Sequence, residues 1–184
     1  MDSWQPLGRY RVTENRAAAV DDLDLAIMMQ LQEDGRRSFT DIARALNISV
    51  GTVRNRISRL IADKTLHIFG RVNPTHVGFQ ASANIHIAVR PPSLIGAAAS
   101  VIGEFPEVSY MALLTGEFDL EIDVACRDQE HLTELLTNRL HKVEGVVETR
   151  THLLLRVFKY AQPDLRLLQR PSARAAGHDD NDTV

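Results

Sequence analysis

The stretch from Ser38 to Leu66 constrains the fold most, because its apolar residues fall at helical spacing twice, on either side of one short break. The repeating apolar positions are Ile42, Ala43 and Leu46 before the break and Val53, Ile57 and Leu60 after it. Asn47 tolerates the left-handed conformation that ends a helix, and Ser49 is a good N-cap for the next helix. The pattern therefore predicts a helix-turn-helix with a three-residue turn.

The side of the second helix that lies away from its apolar stripe carries residue types that read DNA. A turn of about 100° per residue places Asn55 and Arg59 on this side, with Arg54 and Arg56 on its flanks. Asn pairs with adenine and Arg with guanine in the major groove, while flanking arginines hold phosphates. The predicted DNA-binding residues are Ser49, Thr52, Arg54, Asn55, Arg56 and Arg59. For Arg56, an ion pair with a carboxylate of the first helix, which precedes the helix-turn-helix, is an equal alternative.

Charge is segregated along the chain. Residues 36–71 hold eight basic and two acidic residues, a net charge of +6, while the other residues hold 13 basic and 22 acidic ones, a net charge of −9. A basic module on an acidic body is typical of proteins that bind a polyanion. The sequence therefore predicts double-stranded DNA as a partner.

Composition excludes several other classes of protein. The chain has 184 residues, of which 44% are hydrophobic and 24% charged, as is usual for globular domains. Its single cysteine, Cys126, cannot form an internal disulfide, which favours a reducing compartment. No apolar run approaches the roughly 20 residues that span a bilayer, and no apolar signal core opens the chain. We expect a cytoplasmic protein that does not contact the membrane.

The order of the remaining elements predicts two domains of an α+β protein. A helix with Leu23, Ile27 and Leu31 on one face precedes the helix-turn-helix, and 67–72 alternates weakly like the wing strand of a winged helix-turn-helix. From residue 81 the order is strand, helix, strand, strand, helix, strand, which predicts a ferredoxin-like βαββαβ sandwich. The predicted regions are a mobile arm (1–20), the winged helix-turn-helix (21–72), a linker (73–80), the sandwich (81–160) and a disordered tail (161–184).

The second face of the sheet is predicted to be apolar and covered by another subunit. The runs 111–114 and 153–155 are apolar at both alternations, as in sheets that are buried on both sides. A helix-turn-helix commonly binds paired half-sites as a dimer. Both features favour a homodimer that forms through the sheet.

These stretches together resemble the Lrp/AsnC ("feast/famine") family of regulators over about 22–159. The matching segments are LDLAIMMQLQEDGR, FTDIARALNIS-GTVRNRISRL, NPTHVGF, TGEFD and VEGVVETRTHLLLR. The resemblance implies a DNA-binding transcription regulator of amino-acid metabolism. It also implies a small effector, usually an amino acid, bound where dimers meet, and assembly of dimers into higher oligomers such as octamers.

The effector site is predicted at the hairpin that carries the TGEFD segment. Gly116 allows the backbone to approach a ligand closely, and the turn leaves amides that suit a carboxylate. Asp119 would then accept from the ligand's ammonium group, with a purely turn-forming role as the alternative. The predicted effector-binding residues are Thr115, Gly116, Glu117, Phe118 and Asp119.

Other functions have less support in the sequence. The seven histidines are scattered, and neither CxxC spacing nor a Gly-rich phosphate loop occurs. We therefore expect neither an enzyme nor a metal site nor a cofactor, apart from the effector. The alternative function is a small-molecule-binding module whose helix-turn-helix acts through protein partners.

Overall fold

The computed structural model of the protein describes residues 20–168. These residues form two compact units, one of 20–69 together with 161–168 and the other of 70–160. The predicted arm lies outside the described residues except for Val20, and the predicted tail lies outside them beyond residue 168.

The first unit is a bundle of three helices. Its helices are α1 (Asp22–Glu33), α2 (Phe39–Leu46) and α3 (Val50–Ala62). They bury the apolar positions that the sequence pattern identifies, namely Ile27, Leu31, Ile42, Ala43, Val53 and Ile57. The Asp21 carboxylate caps α1 by accepting from the Asp24 amide, and the Asp24 carboxylate accepts in return from the Asp21 amide. The three-helix arrangement predicted for this region is therefore confirmed.

The predicted wing strand is not formed. Residues 67–73 have irregular backbone, and Ile68 and Phe69 are exposed. An extended segment needs a neighbouring strand for its hydrogen bonds, and β-pairing within the described residues occurs only in the second unit. Within the segment predicted to be a disordered tail, Leu165–Leu168 forms a 3₁₀ turn, and the Pro163 carbonyl accepts from Gln32 of α1 at 2.9 Å.

The second unit is an antiparallel sheet with helices packed on one face. Its elements are β1 (Ala81–Val89), α4 (Ile95–Ile102), β2 (Val108–Leu113), β3 (Leu120–Cys126), α5 (Gln129–Glu134) and β4 (Val146–Leu153). A π-helical turn (Leu135–Arg139) and a 3₁₀ turn (Leu140–Lys142) continue α5. The strand order is β2-β3-β1-β4, which is the order of a ferredoxin-like βαββαβ sandwich.

Alternate residues of the two central strands build the core of this unit. The buried side chains of β1 and β3 are Ala81, Ala83, Ile85, Ile87, Leu120, Ile122, Val124 and Cys126. They pack against Ala98 and Ile102 of α4 and against Leu132 and Leu135. The period-2 alternation that predicted these strands is the burial pattern that they show.

The opposite face of the sheet is polar at its centre, contrary to the sequence prediction. Register pairs Asn84 with Asp123 and His152, and His86 with Glu121 and Arg150. Residues directly opposite each other on neighbouring strands share a face. The apolar runs that suggested otherwise lie at the ends of the edge strands β2 and β4 and extend beyond them; Met111 packs into the core, and Leu113 is 70% exposed. The polar side chains of the central strands β1 and β3 therefore make the centre of this face polar.

Candidate DNA-binding and effector-binding sites

The turn between α2 and α3 has the geometry that the sequence predicts. Asn47 ends α2 in the left-handed conformation, with φ 54° and ψ 48°. Ser49 caps α3, since its Oγ accepts from the Thr52 amide at 3.0 Å and lies 2.9 Å from the Thr52 hydroxyl. The cap fixes where α3 begins and occupies both Ser49 and Thr52 at its first turn.

Three of the predicted DNA-binding residues within α3 are exposed, namely Arg54, Asn55 and Arg59, and the last of these has a carboxylate partner in α1. Arg54 and Asn55 are exposed, while Thr52 is half-buried at the capped end of the helix. Among the described residues, Arg54 has no carboxylate within salt-bridge distance. Its guanidinium is therefore available to a phosphate, and the Asn55 amide is available to a base edge.

Arg56 and Arg59 are held by carboxylates at the start of α1. Arg56 donates to both carboxylate oxygens of Asp21 at 2.6 Å and to Oδ1 of Asp24 at 2.9 Å. Arg59 donates through Nη2 to Oδ2 of Asp24. The Asp24 side chain is fully buried, whereas Arg56 is 27% and Arg59 44% exposed. For Arg56 the structure thus shows the ion pair that the sequence left as an alternative; for Arg59 the partner was not anticipated.

The ionisation of the two aspartates follows from these contacts. Burial alone would raise the pKa of Asp24, but hydrogen bonds from Arg59, the Asp21 amide and Arg56 hold that pKa below its ordinary value. The hydrogen bond from Arg56 likewise lowers the pKa of Asp21. Both groups are therefore carboxylates at neutral pH and neutralise charge on the two arginines.

Other cations of the basic segment form exposed ion pairs. Arg44 pairs with Asp41 at 2.9 Å and Arg37 with Glu33 at 3.2 Å. Exposed pairs of this kind contribute at most about 1 kcal/mol. A DNA phosphate can therefore displace the carboxylate at low cost.

The predicted effector hairpin connects β2 to β3. Gly116 has φ +118°, which disfavours side chains, and open space surrounds the position that a Cβ would occupy. The Leu114 amide donates to the Asp119 carbonyl at 2.8 Å and closes the loop. The turn is therefore accessible to a ligand at Gly116.

Asp119 already has partners within the unit. Its Oδ2 accepts from the Val89 amide at 2.8 Å and from Arg90 Nη1 at 2.6 Å. The hydrogen bond from Val89 lowers the pKa of Asp119 against the opposing effect of burial, and Arg90 lowers it further. This geometry favours the turn-forming alternative for Asp119, since the carboxylate ties the hairpin to the end of β1.

Phe118 and Glu117 face the polar side of the sheet. The Phe118 ring is 6% exposed and lies 5.6 Å from the His86 ring. The Arg150 guanidinium lies 4.6 Å from the Phe118 centroid and donates to Glu117 at 3.2 Å. The hairpin is therefore joined to β1 and β4 by one aromatic and charged cluster, whereas Thr115 belongs to the exposed loop itself.

Sequence reasoning missed the residues that support both sites. Asp24 looked like one more acidic residue of the first turn, and Arg90 and His86 lie in a strand region without a motif. The position of Arg56 at the margin of the apolar stripe was the one signal in the sequence, and it predicted an ion pair for Arg56 alone. In the described part of the chain, no set of three His, Cys, Asp or Glu side chains is placed to hold a metal ion, and no helix is long and apolar enough to cross a membrane.

Comparison with known proteins assigns both units to one family. Residues 20–61 match the AsnC-type helix-turn-helix domain, and residues 82–164 match the Lrp/AsnC ligand binding domain. An uncharacterized HTH-type transcriptional regulator of Pyrococcus abyssi is 32% identical over 151 residues, 82% of this chain and 95% of the relative. The HTH-type transcriptional regulator Ptr1 of Methanocaldococcus jannaschii is 32% identical over 141 residues, 76% and 95% of the two chains.

Solved structures show the same fold. Escherichia coli AsnC superimposes with a TM-score of 0.71 at 20% identity over 79% of this chain and 98% of that one. The feast or famine regulatory protein of Mycobacterium tuberculosis, in complex with L-methionine, superimposes with a TM-score of 0.73 at 27% identity over 80% and 99%. The protein therefore belongs to the Lrp/AsnC family of helix-turn-helix transcriptional regulators.

Proposed function

We propose that the protein binds specific double-stranded DNA sites through α3 and controls genes of amino-acid metabolism in response to an amino acid or a related small effector. The observation that carries the DNA-binding part is the exposed pair Arg54 and Asn55 beside the capped start of α3. In a helix-turn-helix, the first residues of the second helix meet the base edges. We place its action in the cytoplasm, where such a regulator meets DNA.

Salt-dependent binding tests this function. The full chain is titrated into a fluorescent duplex at several salt concentrations, and the logarithm of affinity is plotted against the logarithm of salt concentration. Each neutralised phosphate contributes a slope of about −0.9, so we expect a steep negative slope and a shallower one for Arg54→Gln. A flat plot would favour the alternative function, a small-molecule-binding module that acts through protein partners.

For the effector, we propose a site at the hairpin from Thr115 to Asp119. The open backbone at Gly116 supports this placement, and so does the L-methionine bound by the M. tuberculosis relative. The buried Phe118 ring would form one wall of the site. Glu117 would accept from the ligand's ammonium group, because its contact with Arg150 is an exposed ion pair at 3.2 Å, whereas the Val89 amide and Arg90 hold Asp119 at 2.8 and 2.6 Å.

A thermal-shift screen of the full chain against the twenty amino acids tests the effector proposal. A ligand that binds only the folded state raises the melting temperature. Calorimetry with the best ligand then compares the wild type with Glu117→Gln, which keeps the side-chain size and removes the charge. We expect weaker binding by the variant, since a charge-assisted hydrogen bond contributes roughly 1.5–3 kcal/mol. Unchanged affinity would place the ligand elsewhere.

We also propose that the protein forms a homodimer that assembles further, for example into octamers. The support comes from apolar side chains near the end of β4, because Leu155 is 96% and Phe158 89% exposed. Clusters of exposed apolar residues mark interaction surfaces. Light scattering of the full chain should give a dimer or a larger species, and a monomer at micromolar concentration would contradict this proposal.

A further inference from the structure

We propose that Asp24 is a positioning residue of the DNA-binding surface: it holds Arg56 and Arg59 against α1 and removes both from base reading. Bases are then read only by the first half of α3. The inference rests on the proposed DNA-binding function and refines it, because it divides residues that look equivalent in the sequence into two groups with different roles.

The contacts of Asp24 show that its carboxylate holds both arginines. The carboxylate has no exposed surface, and each of its oxygens accepts from a different arginine. Oδ2 also accepts from the Asp21 amide at 3.2 Å. A buried carboxylate is strongly destabilising without partners. The two arginines are therefore needed where they lie.

The position of Arg59 along α3 points the same way. Arg59 lies in the last turn of the helix, whereas Ser49 marks the start. Arg56 and Arg59 are three residues apart and share the flank that faces α1. A helix-turn-helix presents the first residues of its second helix to the bases. Arg59 would have to leave a charge-assisted hydrogen bond to reach a base from the distal end.

Arg54 and Asn55 differ from this pair in position and in contacts, although exposure does not separate them from Arg59, which is 44% exposed. They lie nearer the start of α3, and both are exposed. Within residues 20–168, Arg54 has no carboxylate partner at salt-bridge distance. Asn55 and Arg59 are four residues apart and share one side of α3, so the two differ in their contacts: the Asp24 carboxylate holds Arg59.

The decisive experiment compares base preference between two single variants of the full chain. A preferred duplex is first selected with the wild type from a random library, and binding to all its single-base variants is then measured for Arg59→Gln and for Asn55→Ala. We expect Arg59→Gln to lower the melting temperature and to weaken all duplexes by one common factor, with the preference profile unchanged. Asn55→Ala should flatten the profile at one position.

The opposite profile would overturn the inference. If Arg59→Gln flattened the preference at one base position, Arg59 would read that base. If it left the profile intact but reduced the salt slope by about 0.9, Arg59 would hold a phosphate instead. A wild type that binds no duplex would refute the proposed function itself, which is a distinct result.

Asp24→Asn provides a second, independent test. Loss of the carboxylate leaves the charges of Arg56 and Arg59 without this partner, next to the proposed DNA-binding surface. It also weakens the attachment of α3 to α1. We expect tighter binding to non-specific duplexes, a steeper salt slope and a smaller ratio of specific to non-specific affinity. Melting temperatures of Asp24→Asn, Arg59→Gln and the double variant should be non-additive. Additive shifts would contradict the pairing, and if Asp24→Asn fails to fold, the Arg59→Gln profile decides.

Discussion

The buried carboxylate of Asp24 in α1 accepts a hydrogen bond from Arg59 in α3, 35 residues further along the chain. This bond joins the first helix of the bundle to the helix that carries the candidate DNA-binding residues. The orientation of α3 therefore depends on α1 as well as on the turn at Asn47. We therefore propose that the DNA-reading surface is narrower than the row of polar residues along α3 suggests.

We predict that Ser49→Ala destabilises the first unit by about 0.5–2 kcal/mol, because the substitution removes the N-cap of α3. Ser58→Ala is the matched control, since Ser58 is exposed within the same helix and Ala favours a helix interior. Urea unfolding of both variants measures the difference. Equal stabilities would show that the cap is dispensable.

Local signals in the sequence predicted much of this unit. The apolar stripe, the left-handed Asn47 and the Ser49 cap each depend on residues within a few positions of one another, so spacing alone identifies them. The pairing of Asp24 with Arg59 depends on how two helices pack, and neither residue's neighbours in the sequence encode it. The prediction of a wing strand at 67–72 was wrong for a related reason: alternation of residues does not indicate whether a partner strand is present.

We predict that Gly145→Ala is more destabilising than Gly116→Ala. Both glycines have positive φ, at +89° and +118°, so both substitutions strain the backbone. A Cβ at Gly145 would also lie 3.0 Å from side-chain atoms of Leu94 and Val89, whereas a Cβ at Gly116 meets open space. Thermal melts of the two variants check the order. A lower melting temperature for Gly116→Ala would contradict this reading of the packing.

We predict that Asp119→Ala lowers the free energy of unfolding by roughly 1–3 kcal/mol, because it leaves the amide of the buried Val89 without its acceptor. Asp119→Asn is the control, since its amide oxygen can still accept from Val89. In denaturant titrations, the free energy of unfolding should be highest for the wild type, lower for Asp119→Asn and lowest for Asp119→Ala. If Asp119→Ala is as stable as the wild type, Asp119 is not needed for the turn and is again a candidate for binding the effector.

Stability should fall in acid partly through Glu107. Burial opposes its ionisation, but hydrogen bonds from its own amide and His131, together with Arg139 at 2.7 Å, hold the pKa of Glu107 below its ordinary value. A lowered folded-state pKa stabilises the fold above the unfolded value and loses that contribution as pH falls through the folded value. We expect wild-type stability to fall more than that of Glu107→Gln between about pH 5 and pH 3. If the free energies of unfolding of the wild type and of Glu107→Gln fell in parallel with pH, this prediction would be contradicted.

In the second unit, alternation of apolar and polar residues predicted the buried face of the sheet but not the opposite face. Alternation in β1 and β3 predicted which side chains are buried, because both strands lie at the centre of the sheet. The prediction for the opposite face was wrong because it rested on the apolar runs at the edge strands β2 and β4, whereas the polar alternate residues of β1 and β3 form the centre of that face. The partners of Asp119, at Val89 and Arg90, also follow from strand order rather than from the hairpin sequence.

Selection from a library of random duplexes, performed with the full-length wild type and with Asn55→Ala, tests the central claim most directly. We predict that the wild type enriches one defined site. We also predict that Asn55→Ala loses the preference at a single position, at a cost of roughly 1–3 kcal/mol for the preferred base. Enrichment of no sequence by the wild type, or an identical site and identical base preferences for Asn55→Ala, would contradict the assignment of base reading to the exposed face of α3.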